Sequence, residues 1–96
     1  MGYTLNIDRS ALRLFKKLPR EIQAELIKKG QILRDDPMKG EQLKGKHRHL
    51  RSLHLTIKGT AYRIIYQVFH EAQMVGIVVI GTRENIYKKL EEMAVR

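Results

Sequence analysis

The pattern of apolar and polar residues predicts four β-strands. Residues 3–7 and 50–57 alternate with a period of two, which is typical of strands with one buried face. Residues 60–69 are rich in β-branched and aromatic side chains, which favour strands. Residues 74–81 are almost continuously apolar, which indicates a strand that is buried on both faces.

Three further segments have helical spacing. After residue 8, apolar side chains recur at the i, i+3, i+4 and i+7 positions of one helix face, namely Ala11, Leu14, Phe15 and Leu18. Pro19 disfavours helical geometry at the residue before it, so a second helix is predicted to begin at Pro19 or Arg20 and to end at Asp35. Its inward side chains are Ile22, Leu26 and Leu33. The last predicted helix covers residues 84–94, with an apolar face of Ile86, Leu90 and Met93.

The predicted order of elements, β-α-α-β-β-β-α, describes one α+β domain over residues 1–96. A chain of 96 residues and 11.2 kDa has no room for a second core. We expect an antiparallel sheet with the N-terminal helical hairpin on one face, and a C-terminal helix. Residues 38–49 are polar and contain Gly40 and Gly45, so they are predicted to form a loop.

The short turn at Lys58-Gly59 predicts the register of the central hairpin. It pairs Ile57 with Thr60 and places His54 opposite Arg63. Because side chains alternate with a period of two, His54 and Arg63 then share one face of the sheet. The other face carries Leu53, Leu55, Tyr62, Ile64 and Tyr66. We therefore expect one face to pack on the helices and the other to carry a polar, basic groove.

Composition excludes several classes of protein. A hydrophobic content of 43% excludes a disordered chain. No apolar run reaches the roughly 18–20 residues of a membrane helix, and the N-terminus lacks the apolar core of a signal peptide, so no membrane partner and a cytoplasmic location are expected. The absence of cysteine excludes disulfides, thiolate metal sites and cysteine nucleophiles.

The net charge of +9 points to a polyanionic partner, most commonly a nucleic acid. The charge is concentrated in residues 39–63, here called the basic band, which contain seven Lys and Arg side chains and a single acidic one, Glu41. A solvated surface is the plain alternative, but three histidines in the band favour nucleic-acid contact. The predicted contacts to an RNA backbone are Lys44, Lys46, Arg48 and Arg51.

No familiar catalytic motif is present, neither a Walker loop nor G-x-S-x-G nor H-E-x-x-H. The band histidines His47, His49 and His54 have one carboxylate and no thiol near them in sequence, and the surrounding cations repel a divalent ion. We therefore predict no metal and no cofactor.

Four residues that the strands and the last helix carry could act on RNA. Arg63 and Arg83 have the planar guanidinium that binds phosphate oxygens with two hydrogen bonds. Tyr87 lies one helical turn after Arg83 and offers a ring on which a base could stack. His54 belongs to the residue type best suited to acid–base catalysis near neutral pH. Singly, Arg83 could instead pair with Glu84, and Tyr87 could simply pack on the sheet. Together they favour an RNA site.

Several segments resemble the RelE/ParE superfamily of toxins from type II toxin–antitoxin systems. They are Lys16-Lys17-Leu18-Pro19, Leu43-Lys44-Gly45, Tyr62-Arg63-Ile64-Ile65-Tyr66, and Gly81-Thr82-Arg83 through Tyr87. The resemblance covers nearly the whole chain, and the order of elements agrees with it. It implies a protein antitoxin as partner.

The resemblance implies one of two activities. RelE-like members are ribosome-dependent endoribonucleases that cut mRNA in the decoding site and so inhibit translation, whereas ParE-like members inhibit DNA gyrase. Arg63 and Arg83 match arginines of the superfamily, and Tyr87 matches a tyrosine that marks the RNA-cleaving branch. Ser52 and His54 depart from it, since RelE enzymes carry lysines there, so the identity of the base is open. A ribosome-dependent endoribonuclease is the first hypothesis. A gyrase inhibitor and a non-catalytic RNA-binding module are the alternatives.

Overall fold

A computed structural model describes residues 2–94, with the side chains of Met93 and Ala94 outside the described part. In chain order the elements are β1 (Thr4–Ile7), α1 (Arg9–Lys16), α2 (Arg20–Gly30), α3 (Ile32–Asp35), β2 (Glu41–Gln42), β3 (Arg51–Ile57), β4 (Thr60–Phe69), β5 (Met74–Thr82) and α4 (Arg83–Ala94), with a 3₁₀ turn at Gly45–His47. The predicted α+β class is confirmed. The second predicted helix is divided at Gln31 into α2 and α3, and the predicted loop contains β2.

The strands form one sheet in the order β1-β5-β4-β3-β2. Neighbours from β2 to β5 are antiparallel, as predicted, whereas β1 runs parallel to β5. Parallel neighbours need a long connection, and here every other element except α4 lies between the two strands in the sequence. The direction of β1 therefore depends on a pairing between the two ends of the chain.

The hairpin of β3 and β4 has the predicted register. Lys58 and Gly59 have φ angles of 50° and 79°, as a two-residue hairpin turn with positive φ at both positions requires. Ile57 pairs with Thr60 and His54 with Arg63. The turn has thus placed the two polar side chains on adjacent strands and on one face.

The first face of the sheet packs on α1, α2 and α3. Its strand side chains include Leu53, Ile64 and Tyr66, and the helices contribute Ala11, Ile22, Leu26 and Leu33. These are the inward residues predicted from periodicity. This face forms the larger part of the core.

The second face is only partly the open groove that we predicted. It carries a second apolar cluster, formed by Leu50, Ile65, Val79, Ile86 and Leu90. Because α4 begins directly after β5, the helix folds back over the sheet and covers this face. Ser52, predicted on the polar face, is consequently buried, at 2% exposure. The part of the face near the N-terminus of α4 remains accessible, with His54 exposed and Arg63 half-buried.

None of the helices over residues 2–94 is long and apolar enough to cross a membrane.

Candidate active site

One row across the sheet positions the predicted site residues. His54 on β3 pairs with Arg63 on β4, and Arg63 pairs with Gly81 on β5. The next row on the same face lies two residues away on each of the three strands. It consists of Ser52, Ile65 and Val79 and is buried under α4. Gly81 contributes no side chain above β5, and α4 begins two residues later at Arg83. The row therefore reaches solvent beside the first turn of α4.

Arg63 and Tyr87 are in direct contact across this row. Nη1 of Arg63 donates a hydrogen bond to Oη of Tyr87 at 2.9 Å. The guanidinium carbon lies 5.5 Å from the centre of the tyrosine ring, within the range of a cation–π interaction. Tyr87 is 49% exposed, so its ring is accessible to a ligand. Two residues that are 24 positions apart thus form the centre of the candidate site.

The pKa of the Tyr87 phenol lies below its ordinary value. The hydrogen bond from Arg63 is the main cause, followed by the positive charge of Arg63, and Arg83 adds a smaller contribution. Both arginines stabilise the phenolate relative to the phenol. Because Arg63 donates to the phenol oxygen, the proton of Tyr87 is free for another acceptor. The surroundings therefore favour release of that proton.

Arg83 is exposed at the first position of α4. None of the ion pairs within residues 2–94 involves Arg63 or Arg83, so the pairing of Arg83 with Glu84 that we considered does not occur there. The N-terminus of a helix also carries a partial positive charge. Arg63 and Arg83 both act on Tyr87, so two guanidinium groups and a helix end, which are groups of the kind that bind phosphate, adjoin the same side chain.

His54 has one acidic neighbour. Its Nε2 atom lies 3.9 Å from Oε2 of Glu41, and the two side chains are 47% and 74% exposed. Glu41 belongs to the two-residue strand β2, which pairs with β3. Sequence reasoning did not select Glu41 because it falls in a segment predicted as a loop. Its position as the single carboxylate of the basic band was the available signal.

A groove of about 730 Å³ opens next to Tyr87. The loop before β3 lines one wall with Leu43, Lys44, Lys46 and His47, and α4 lines the other with Tyr87, Leu90 and Glu91. Lys44 and Lys46 therefore lie beside the candidate site. His47 also lines the groove, although the sequence analysis had not selected it as a site residue. The groove combines cationic side chains with an exposed aromatic ring, as single-stranded nucleic-acid sites do.

Arg48 and Arg51 lie apart from this groove. They line a separate hollow of about 370 Å³ together with His49 and His70. Nη1 of Arg51 donates hydrogen bonds to the carbonyl oxygens of Gly40 at 2.6 Å and Met38 at 3.3 Å. The four predicted RNA contacts thus divide into two pairs, and Arg51 has a structural role whatever else it binds.

The part of the chain that the structure describes contains no group of three or more His, Asp or Glu side chains placed to hold a metal ion.

Comparison with known proteins agrees with this architecture. Residues 5–91 match the family model described as ParE-like toxin of type II bacterial toxin–antitoxin system. The mRNA interferase toxin RelE of Escherichia coli K12 is 28% identical over 85 residues, which cover 88% of this chain and 86% of RelE. The toxin–antitoxin complex RelBE2 of Mycobacterium tuberculosis contains a chain with a TM-score of 0.75 and 27% identity, covering 86% of this chain and 93% of its own. A mutant of E. coli RelE in the free state has a TM-score of 0.71 and 29% identity, covering 88% and 87%.

The matched region includes the helices, the hairpin and the first turns of α4, so it contains every residue of the candidate site. The resemblance to the RelE/ParE superfamily is confirmed, and the chain belongs to the ParE-like toxins of type II bacterial toxin–antitoxin systems.

Proposed function

We propose that this toxin is a ribosome-dependent endoribonuclease that cuts mRNA in the cytoplasm and thereby blocks translation. The observation that carries the proposal is the contact between Arg63 and the exposed Tyr87, one strand away from His54. The E. coli relative named mRNA interferase supports the choice of substrate. An inhibitor of DNA gyrase has no need of a base, a phosphate clamp and a stacking ring at one place.

The reaction that suits these residues is cleavage by the 2′-hydroxyl of the RNA itself. The 2′-oxygen bonds to phosphorus, and the bond from phosphorus to the 5′-oxygen breaks. The products are a 2′,3′-cyclic phosphate and a free 5′-hydroxyl. This route requires a base for the 2′-proton, positive charge for the phosphorane and an acid for the 5′-oxygen.

Each requirement has a candidate in the site. His54 is the base, and Arg63 and Arg83 bind the phosphorane oxygens. Tyr87 stacks its ring on a base of the RNA, and its hydroxyl supplies the proton to the 5′-oxygen, consistent with its lowered pKa. Lys44 and Lys46 hold the RNA backbone in the groove beside Tyr87.

A protein antitoxin is the proposed partner that keeps the toxin inactive. The M. tuberculosis neighbour is a toxin–antitoxin complex, which supports this assignment. The antitoxin would block activity by covering the basic groove or by displacing α4. Either route separates Tyr87 from the RNA.

The test is cleavage of a defined mRNA on programmed ribosomes, read by primer extension, with analysis of the new 3′-end. We expect cuts only in the presence of ribosomes, and a 2′,3′-cyclic phosphate. Supercoiling of relaxed plasmid by DNA gyrase is assayed in parallel. Intact mRNA with blocked supercoiling would replace this function by gyrase inhibition, and intact mRNA bound to the protein would leave an RNA-binding module.

A further inference from the structure

Glu41 lies next to the proposed base for a structural reason. Glu41 pairs with Ser52, and Ser52 is two residues before His54 on β3. Side chains two residues apart on a strand lie on the same face, so Glu41 and His54 face the same side. The approach of Oε2 to Nε2 at 3.9 Å thus follows from the strand register.

The segment before Glu41 is held by hydrogen bonds that we call the Tyr66 clamp. The backbone N–H of Gly40 donates to Oη of Tyr66 at 2.8 Å, and this hydroxyl donates to the carbonyl oxygen of Pro37 at 2.7 Å. Arg51 donates to the carbonyl of Gly40 at 2.6 Å. A Cβ atom at Gly40 would lie 2.5 Å from the Tyr66 hydroxyl, so glycine is required. The backbone that carries Glu41 is therefore fixed to the strands of the site.

The negative charge of Glu41 lies in a segment whose other charged side chains are positive. Arg63 lies directly opposite His54 on the neighbouring strand, so a positively charged side chain adjoins the ring. A carboxylate beside a catalytic imidazole stabilises the imidazolium and holds the ring in one orientation. Glu41 is the single acidic side chain of the basic band that could do so.

We propose that Glu41 is a positioning residue that orients the His54 ring, with Nε2 toward Glu41 and Nδ1 toward the RNA. This inference rests on the proposed endoribonuclease activity. As the bond from the 2′-oxygen to phosphorus forms, the 2′-proton passes to Nδ1 of His54. The bond from phosphorus to the 5′-oxygen breaks, and the 5′-oxygen takes a proton from Tyr87. Glu41 exchanges no proton and touches no reacting atom.

The kinetic test compares Glu41→Gln with Glu21→Gln. Glu21 is an exposed carboxylate away from the site, and it forms an ion pair with Lys58 on the hairpin turn. Glu21→Gln therefore removes the same charge, and also an ion pair, without changing the site. Single-turnover cleavage on ribosomes separates the maximal rate from the half-saturating toxin concentration. We expect Glu41→Gln to lower the maximal rate roughly tenfold or more, with little change in half-saturation. A maximal rate equal to that of Glu21→Gln would overturn the proposal.

Nuclear magnetic resonance of the imidazole nitrogens tests the orientation without RNA or ribosomes. The His54 signals are assigned with His54→Gln. We expect Glu41→Gln to change the tautomer ratio of His54, and Glu21→Gln to leave it as in the wild type. An unchanged ratio in Glu41→Gln would refute the orienting contact. If Glu41→Gln changes the ratio but the wild-type protein cuts no mRNA, the contact is retained and the proposed function is rejected.

Discussion

At the scale of single residues, Arg63 connects the two halves of the candidate site. It pairs across the hairpin with His54 and donates a hydrogen bond to Tyr87 on α4. The hydrogen bond supports the tyrosine, and in the proposed reaction the same guanidinium also binds phosphate. Its neighbours therefore give cleaner tests of the chemistry.

Substitutions of Tyr87 distinguish a role in stacking from a role in proton transfer. Tyr87→Phe keeps the ring and removes the hydroxyl, so we expect a loss of roughly 10²-fold in cleavage rate if the phenol donates a proton. Tyr87→Ala also removes stacking, which contributes about 1–3 kcal/mol per base, and should be roughly 5- to 150-fold worse than Tyr87→Phe. Ribosome-dependent cleavage measures both variants. Two variants as active as the wild type would reduce Tyr87 to a packing residue.

Arg83→Ala should abolish toxicity with little effect on folding. The side chain is exposed, so its loss removes little packing, whereas loss of a phosphate ligand costs on the order of 3 kcal/mol in the transition state. Arg20→Ala is the matched control, because Arg20 is an exposed first residue of a helix on α2. Growth arrest and thermal unfolding are measured for both. A folded Arg83→Ala protein of full toxicity would exclude Arg83 from the site.

At the scale of elements, two connections shape the site. The direct passage from β5 into α4 brings Arg83 and Tyr87 over the sheet. The Tyr66 clamp attaches the loop before β3, with Glu41 and Lys44, to the same region. The clamp is buried and polar, so its loss leaves unpaired hydrogen-bonding groups in the interior.

Tyr66→Phe should lower the free energy of unfolding by about 1–3 kcal/mol, because the N–H of Gly40 and the carbonyl of Pro37 lose their partner. Tyr62→Phe is the control, since the Tyr62 hydroxyl makes no hydrogen bond within residues 2–94. Denaturant unfolding at neutral pH measures both. Equal effects of the two substitutions would contradict the clamp.

The raised pKa of Tyr66 leads us to expect a lower free energy of unfolding at alkaline pH. Burial raises the pKa of Tyr66 above its ordinary value, although the Gly40 N–H partly opposes this. A raised pKa in the folded state means that the stability is complete below the unfolded value of about 10 and decreases as the pH rises through the folded value. We expect the wild type to lose more stability above about pH 10 than Tyr66→Phe. Parallel pH profiles of the two proteins would contradict this.

At the scale of the whole molecule, a net charge of +9 and a pI near 10.1 favour rapid association with RNA. Counterion release makes such association weaken as the salt concentration rises. The structure divides the basic band, because Lys44 and Lys46 line the groove at Tyr87 whereas Arg48 and Arg51 lie in another hollow. Charge in the groove should therefore matter more than charge elsewhere.

The double substitution of Lys44 and Lys46 by alanine should weaken ribosome binding and reduce its dependence on salt, as expected when phosphate contacts are lost. The same substitution of Lys28 and Lys29, exposed on α2, changes the net charge equally and should have a smaller effect. Binding at several salt concentrations measures both. Equal losses would mean that net charge alone governs binding.

Local rules account for what the sequence by itself determined. A two-residue turn and the period of two were enough to place His54 opposite Arg63, and helical spacing was enough to identify the inward residues Leu26 and Leu33. These features depend on residues close together in the chain. The resemblance to a toxin superfamily came from short segments and was confirmed over residues 5–91.

Only the tertiary structure decided the features that depend on distant residues. The hydrogen bond from Arg63 to Tyr87 requires α4 to fold back over β4, and the approach of Glu41 to His54 requires a two-residue strand too short to have a pattern of its own. The burial of Ser52 and the parallel direction of β1 follow from the same long-range packing. Periodicity reports which face of an element is apolar, but which element covers that face is decided by the packing of the whole chain.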